Sequence, residues 1–301
     1  MEKVLITGGS GFFGAHLAER LLRDDYSVRV LDRNEIDQDS LRKSVNFIKG
    51  DVRDRDTVTR ACKDIDYVFH NAAILPVSRS SKREYWDVNV NGTQNVLRAS
   101  LLNHIKKVIF ISSSAPYGIP RIIPIKETTE FNPICDYGRS KAEAERACKD
   151  YRGRGLNVII LRPRTIIGTG RLGIFQILYS WIADNKNIYT IGSGENLMQF
   201  LSDKDFVEAC ILSIGRACVN EDLNLGAEKF GTVKEALQEL IKYAKSSSQI
   251  KALPGKAAES VLFILDKLNL SPFTPWHYKT SDKPFYFDIS KAKKILDWNP
   301  K

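Results

Sequence analysis

Tyr137 and Lys141 stand four residues apart in the run Asp136-Tyr137-Gly138-Arg139-Ser140-Lys141-Ala142-Glu143. On a helix that spacing puts both on one face, so the ammonium acts on the phenol. A neighbouring positive charge favours the phenolate, lowers the tyrosine pKa and makes a proton-transfer group usable near neutrality. A bare Y-x-x-x-K also arises by chance on amphipathic helices that merely carry a solvated lysine. The run Thr7-Gly8-Gly9-Ser10-Gly11-Phe12-Phe13-Gly14 supplies a partner for such a group. Its glycines permit a tight turn, close approach of the backbone to a pyrophosphate, and close packing of a helix on a strand. A helix opening there adds free N–H donors and a positive dipole end. Asp32 ends the run Val28-Arg29-Val30-Leu31-Asp32, eighteen residues after Gly14. A carboxylate there accepts from a ribose 2′-hydroxyl and repels a 2′-phosphate, which favours NAD over NADP; the adjacent Arg33 could instead hold that phosphate. Together these residues predict nicotinamide-dependent redox chemistry on an alcohol.

Such groups need a frame, and the first two-thirds of the chain reads as one. Short β-branched runs alternate with helical patterns, as in βαβ units around a parallel sheet. Strands are expected at Lys3–Thr7, Val28–Leu31, Asn46–Lys49, Tyr67–Asn71, Val108–Ser112 and Val158–Arg162. Helices are expected at Phe12–Arg23, from about Arg83 to Asn103, and from Asp136 to Arg152. The strands are almost wholly apolar, as when helices cover both faces of a sheet. The fold class is therefore α/β, a Rossmann-type doubly wound parallel sheet with a smaller mixed α/β C-terminal region. Residues 1–165 are expected to form the NAD-binding domain, with 202–225 packing back on it; 166–201 and 226–301 are expected to bind substrate. In that second part the sequence predicts a loop over 168–173, helices at Ile174–Asp184, Asp205–Val219, Thr232–Lys245 and Ala257–Leu268, and a hairpin-like stretch at Ile188–Leu201. A final strand, Phe285–Asp288, precedes a helix Ser290–Leu296 with Ser290 as its N-cap.

Composition narrows the function classes. The 301 residues are 43% hydrophobic, enough for a large core, and contain no apolar run of the roughly 18 residues a membrane span needs. Met1-Glu2-Lys3-Val4-Leu5-Ile6 leads into the first strand without room for a signal peptide, so a cytoplasmic location is expected. Five cysteines without C-x-x-C spacing fit reduced thiols, and four histidines share no helical spacing, so no metal is expected. The net charge of +9 comes from 45 basic residues interleaved with 36 acidic ones, without a nucleic-acid motif. It suits an anionic small molecule such as a nucleotide sugar.

The chain resembles the extended short-chain dehydrogenase/reductase family, the NAD-dependent epimerase/dehydratase group that includes UDP-glucose 4-epimerases. Beyond the runs above, the resemblance rests on Gly50-Asp51-Val52-Arg53-Asp54, His70-Asn71-Ala72-Ala73, Asn89-Val90-Asn91-Gly92-Thr93, Leu161-Arg162-Pro163, Gly192-x-Gly194 and Leu296-Asp297-Trp298-Asn299-Pro300. It implies that Gly8, Gly11, Phe12, Phe13, Gly14, Asp32, Arg33, Asp51, Val52, Ala72, Ala73, Asn89, Tyr137, Lys141 and Pro163 serve NAD, with Asp51 and Val52 at the adenine. It implies that Tyr137 exchanges a proton with the substrate hydroxyl, that Lys141 tunes it and holds the ribose, and that a serine of Ser112-Ser113-Ser114 binds the reacting oxygen. Counting back from Tyr117-Gly118 selects Ser113; counting forward from the strand selects Ser114. A homodimer through the long helix and the tyrosine helix is also implied.

Three departures bear on the substrate. Ser114-Ala115 stands where sugar 4,6-dehydratases of the family carry an Asp-Glu pair, so dehydration is disfavoured. Thr165 and Met198 stand where many family epimerases place an asparagine and an arginine that hold the diphosphate. Arg164, Arg171 and Lys204 are candidates to compensate, though each reads more simply as a surface charge; Cys135 reads as a small buried thiol. The expected activity is NAD-dependent epimerisation of a nucleotide sugar through a keto intermediate. The alternative is dehydrogenation or reduction of a non-nucleotide alcohol, of hydroxysteroid or flavonol-reductase type.

Overall fold

The computed structural model describes residues 1–78, 80–170, 174–215, 218–268, 270–271 and 273–301. The chain opens with β1 (Lys3–Thr7), α1 (Phe12–Arg23), β2 (Ser27–Asp32), α2 (Asp39–Ser44) and β3 (Asn46–Lys49). Next come α3 (Arg55–Ala61), β4 (Tyr67–His70), α4 (Lys82–Tyr85), a π-helical stretch Trp86–Asn91 and α5 (Gly92–Leu102). β5 (Lys107–Ile111), α6 (Asp136–Gly153), β6 (Val158–Pro163) and β7 (Thr165–Ile167) follow. The remainder comprises α7 (Ile174–Ala183), β8 (Ile188–Ile191), β9 (Leu197–Met198), β10 (Phe200–Ser202), α8 (Asp203–Gly215) and β11 (Asp222–Leu225). It ends with β12 (Gly231–Thr232), α9 (Val233–Tyr243), β13 (Ile250–Leu253), α10 (Gly255–Lys267), α11 (Pro275–Thr280) and α12 (Ser290–Leu296).

Seven strands form one parallel sheet in the order β3-β2-β1-β4-β5-β6-β11. Side chains alternate between its faces. Val4, Ile6, Ile109, Ile111, Ile159 and Leu161 enter the core on one side, while Leu5, Val108, Phe110, Val158 and Ile160 enter the other. A core on each side demands apolar residues at every strand position, which explains the continuous hydrophobic runs. The strand order reverses between β1 and β4, so the two chains leaving their carboxyl ends diverge and open a crevice. The rings of Phe13 on α1 and Phe206 on α8 stack at 4.1 Å, and β11 extends the sheet beside β6. Trp298, almost fully buried, donates its indole N–H to the Asp205 carbonyl at 3.0 Å.

Three expectations need correction in the C-terminal region. Ile188–Leu201 is not a hairpin: β8 pairs in parallel with β13 and β10 in parallel with β7, while β9 pairs antiparallel with β12. The alternating pattern of Ile188–Ile191 marks a strand but carries no information about a partner some sixty residues away. Phe285–Asp288 makes only isolated bridges, Phe285 to Met198 and Phe287 to Ile125. Ser290 is the first residue of α12 rather than its cap; its amide donates to Asp288 Oδ1 at 2.9 Å, an Asx-type turn.

Candidate active site

The crevice between β1 and β4 is built by the glycine run. Gly8 has φ +72°, and a Cβ on it would lie 2.8 Å from the Ala72 backbone, so only glycine lets the two chains pass. A Cβ on Gly14 would lie 2.3 Å from the Gly8 carbonyl oxygen, so this glycine sets how closely α1 meets the turn. α1 starts without a side-chain cap and without an acidic residue in its first turn, which suits an anion at its amides. Asp32 is held by two amides, Ser10 N to Oδ2 and Asn34 N to Oδ1, each at 3.0 Å. Arg33 lies 3.4 Å from Asp51, whose carboxylate also takes the Arg53 guanidinium at 2.7 and 3.0 Å. That ion pair draws Arg33 toward a carboxylate rather than leaving it to a 2′-phosphate.

One cavity of about 1890 Å³ runs from this turn to the C-terminal region. Gly8, Gly11, Phe12, Phe13, Asp32, Arg33, Asp51, Val52, Ala72, Ala73 and Pro163 line it, as do Ser113, Ser114, Tyr137 and Lys141. Gly14 and Asn89 do not line it. Asn89 instead ties the cavity wall to α6: its Oδ1 accepts from Ile74 N at 2.8 Å and its Nδ2 donates to Ser140 Oγ at 3.0 Å. The residues present fit a dinucleotide: a turn no side chain can enter, capless amides beyond it, and an oriented carboxylate at the end of β2.

At the other end of the crevice α6 begins where Cys135 Sγ accepts the Gly138 amide at 3.4 Å, so the thiol is a helix cap. Tyr137 is buried, with its ring edge-on to Tyr85 at 6.2 Å. One turn on, Lys141 is buried too; its Nζ donates to the Ile111 carbonyl at 2.6 Å and sits 4.2 Å from the Phe110 ring centre. Burial pushes its pKa down to about 8, against the opposing pull of Glu145, and it stays mostly charged at neutral pH. The three serines after β5 divide their tasks. Ser112 donates to Glu145 Oε1 at 2.5 Å, Ser113 accepts from Ala115 N at 3.2 Å, and Ser114 accepts from Arg164 Nη1 at 3.1 Å.

Two buried networks went unread in the sequence. Arg162 meets Glu145 at 2.6 Å and Asp222 at 2.9 Å, and donates to the Tyr117 hydroxyl at 2.9 Å. It clamps α6 to β6 and β11. An arginine inside the otherwise apolar run Val158–Pro163 is the available signal, because a buried charge requires a partner. The second joins Thr7, His70 and Thr93: the imidazole meets Thr7 Oγ1 at 2.7 Å and Thr93 Oγ1 at 2.8 Å. Burial pushes His70 down to about 3, so it is neutral and fixes the ends of β1 and β4. Among the cations considered as substitutes for the missing diphosphate anchors, Lys204 is exposed and Arg171 lies outside the described residues. Arg164 is no surface charge: it is 3% exposed and lies 4.1 Å over the Phe285 ring, because the 285–287 segment crosses above the β6–β7 junction.

A doubly wound parallel sheet, a glycine turn at its switch point and a buried Tyr–Lys pair in the same crevice define a class, the NAD-dependent enzymes that act on alcohols. The family model described as NAD dependent epimerase/dehydratase matches residues 4–226, and the chain belongs to that family; NAD is its cofactor. It is 40% identical over 302 residues to the uncharacterized protein y4nG of Sinorhizobium fredii, covering 100% of this chain and 75% of that one. It is 31% identical to a putative UDP-glucose 4-epimerase of Methanocaldococcus jannaschii, covering 99% of this chain and 93% of that one. Among solved structures, UDP-glucose 4-epimerase of Thermotoga maritima with UDP-glucose superposes with a TM-score of 0.82 at 25% identity, over 99% and 94% of the two chains.

Proposed function

We propose that the protein epimerises a nucleotide sugar, oxidising one ring hydroxyl to a ketone and reducing it again from the other face. One observation carries the reading: Tyr137, Lys141 and Ser113 open into the same cavity as the glycine turn and Asp32. NAD, when bound, supplies an electron-pair acceptor that is restored within each turnover. Tyr137 accepts the proton of the substrate hydroxyl and returns one. Lys141, a charged group one turn away on α6, favours the phenolate and reaches the ribose side of the crevice. Ser113 donates to the reacting oxygen; its own oxygen takes the Ala115 amide, which leaves the hydroxyl proton to give. Ser114 is bound to Arg164 and serves the substrate instead. The names of the relatives above support a nucleotide sugar as substrate. In this reading residues 1–165 with 202–225 hold NAD and the rest holds the sugar nucleotide. No helix among the described residues is long and apolar enough to cross a membrane; five free cysteines suit a reducing cytoplasm. The enzyme is a homodimer through the faces of α4–α5 and α6, where Trp86 is partly exposed.

One observation favours a second reading. Past β6 the cavity is walled by Met198, Leu262, Trp276 and Phe285, which suits an apolar alcohol and net dehydrogenation. Incubating the NAD-bound protein with a panel of nucleotide sugars and with apolar alcohols, while following sugar NMR signals and NADH absorbance, separates the two. Isomer exchange without net NADH supports epimerisation, and stoichiometric NADH supports dehydrogenation. Unchanged activity in Tyr137→Phe would sink both.

A further inference from the structure

Arg164 is a buried cation without an anion. Among the described residues no carboxylate pairs with it. Its Nη1 donates to Ser114 Oγ at 3.1 Å, its Nη2 reaches only the sulfur of Met198, a weak acceptor, and its buried Nε has no partner. Each Nη carries two hydrogens and makes one contact, so the guanidinium keeps N–H groups to give. Its plane lies over Phe285, which holds it in position without neutralising it. Burial pushes its pKa down to about 9, so the group remains charged at neutral pH. Leaving a charge this dry and unpaired costs stability. Arg162, two residues earlier and just as buried, has two carboxylates.

The surroundings say where the missing anion comes from. Arg164 lines the cavity, and of the described lining residues from β6 onward it is the only Lys, Arg, Asp or Glu. The cavity's carboxylates, Asp32, Asp37 and Asp51, all lie at the opposite end, beyond β2 and β3. His277, also in the wall, is pushed down to about 4 by burial and is neutral. Arg164 stands at the reacting end: it holds Ser114, next to Ser113, on the same strand exit whose Ile111 carbonyl takes Lys141. A group that meets Arg164 is therefore on the part of the substrate being oxidised, not on the adenosine side of the crevice.

We propose that Arg164 is the specificity residue of this pocket and takes a carboxylate on the substrate's reacting ring. The inference rests on the nucleotide-sugar reading and deepens it: the substrate is an acidic sugar of the hexuronate type rather than its neutral hexose counterpart.

The probes are UDP-glucuronate and UDP-glucose, which differ only in a carboxylate against a hydroxymethyl group. Their affinities for the NAD-bound protein are measured by calorimetry, using Tyr137→Phe to suppress turnover. A charge-assisted pair predicts that UDP-glucuronate binds roughly 10- to 100-fold tighter. In Arg164→Met that preference disappears while NAD affinity is unchanged. The apo melting temperature of this variant holds or rises, because an apolar side chain replaces an unpaired buried cation; a purely structural arginine would lower it on removal. Equal affinities for the two probes in the unsubstituted pocket overturn the proposal whatever the variant does. So does an equal loss for both in Arg164→Met, which would assign the cation to the shared diphosphate. If neither nucleotide binds while NAD does, the nucleotide-sugar reading fails, and the proposal falls with it.

Discussion

Glu145→Ala tests whether the buried clamp behind α6 positions the tyrosine. Glu145 and Arg162 have side chains 1% exposed and meet at 2.6 Å, and Glu145 also accepts from Ser112 at 2.5 Å. Removing one partner of a buried ion pair typically costs about 3–5 kcal/mol, because the other charge is left in a dry site. Here Arg162 keeps Asp222 at 2.9 Å, which places the loss near the lower end, about 3 kcal/mol. At roughly 2–4 °C per kcal/mol for large single-domain chains, the melting temperature should fall by about 6–12 °C. The measurement is calorimetric unfolding of NAD-free protein, since bound cofactor would raise both curves. Glu145 lies two turns beyond Tyr137 on α6, and Ser112 immediately precedes Ser113. Turnover should therefore fall more than substrate affinity, on the order of 10²-fold for a displacement of about 1 Å. The double variant Glu145→Leu/Arg162→Met removes both charges and should recover most of the lost stability. A loss under about 1 kcal/mol in Glu145→Ala, or a double variant no more stable than the single, would refute the reasoning.

Three further outcomes follow from the crevice. Gly14→Ala puts a methyl group 2.3 Å from the Gly8 carbonyl; α1 must move off the turn, and NAD affinity by calorimetry should drop at least about tenfold, or 1.4 kcal/mol. Asp32→Ser removes the carboxylate oriented by Ser10 and Asn34; the ratio of NAD to NADP affinity should fall by about tenfold or more, and an unchanged ratio would remove Asp32 from the site. Lys141 has its folded-state pKa lowered to about 8 from 10.5 by burial. Between those values the unfolded chain binds the proton and the folded chain does not, so this group makes stability rise with pH from about 8 to 10.5. Lys141→Met should abolish that rise in denaturant titrations across the window and reduce activity; a parallel pH dependence in both proteins would contradict the burial of the ammonium.

What could be read from sequence divides by the range of the interactions. The glycine turn, Asp32 at the end of β2 and the Tyr137–Lys141 spacing are set by backbone geometry within a few residues, so their types and intervals locate them. β1, β5 and β6 were legible because two-sided burial leaves a continuous apolar run, whatever the partner strand. The C-terminal region has no such local imprint. β9 and β12 are two residues each, β8 finds its partner β13 only after α9 has intervened, and α12 starts on an Asx turn rather than a serine cap. Arg164 shows the same limit at a single residue. Its neighbours in sequence, Pro163 and Thr165, say nothing of burial; Phe285 and Phe287, more than a hundred residues on, cover it. Arg162 and Arg164 are two residues apart and nearly equally buried, yet only Arg162 is given carboxylates by α6 and β11. The fold has neutralised one arginine and left the other in the wall of the substrate cavity. The residue proposed to separate one alcohol from another is thus specified by long-range packing, while the residues proposed to move the proton are specified by local spacing.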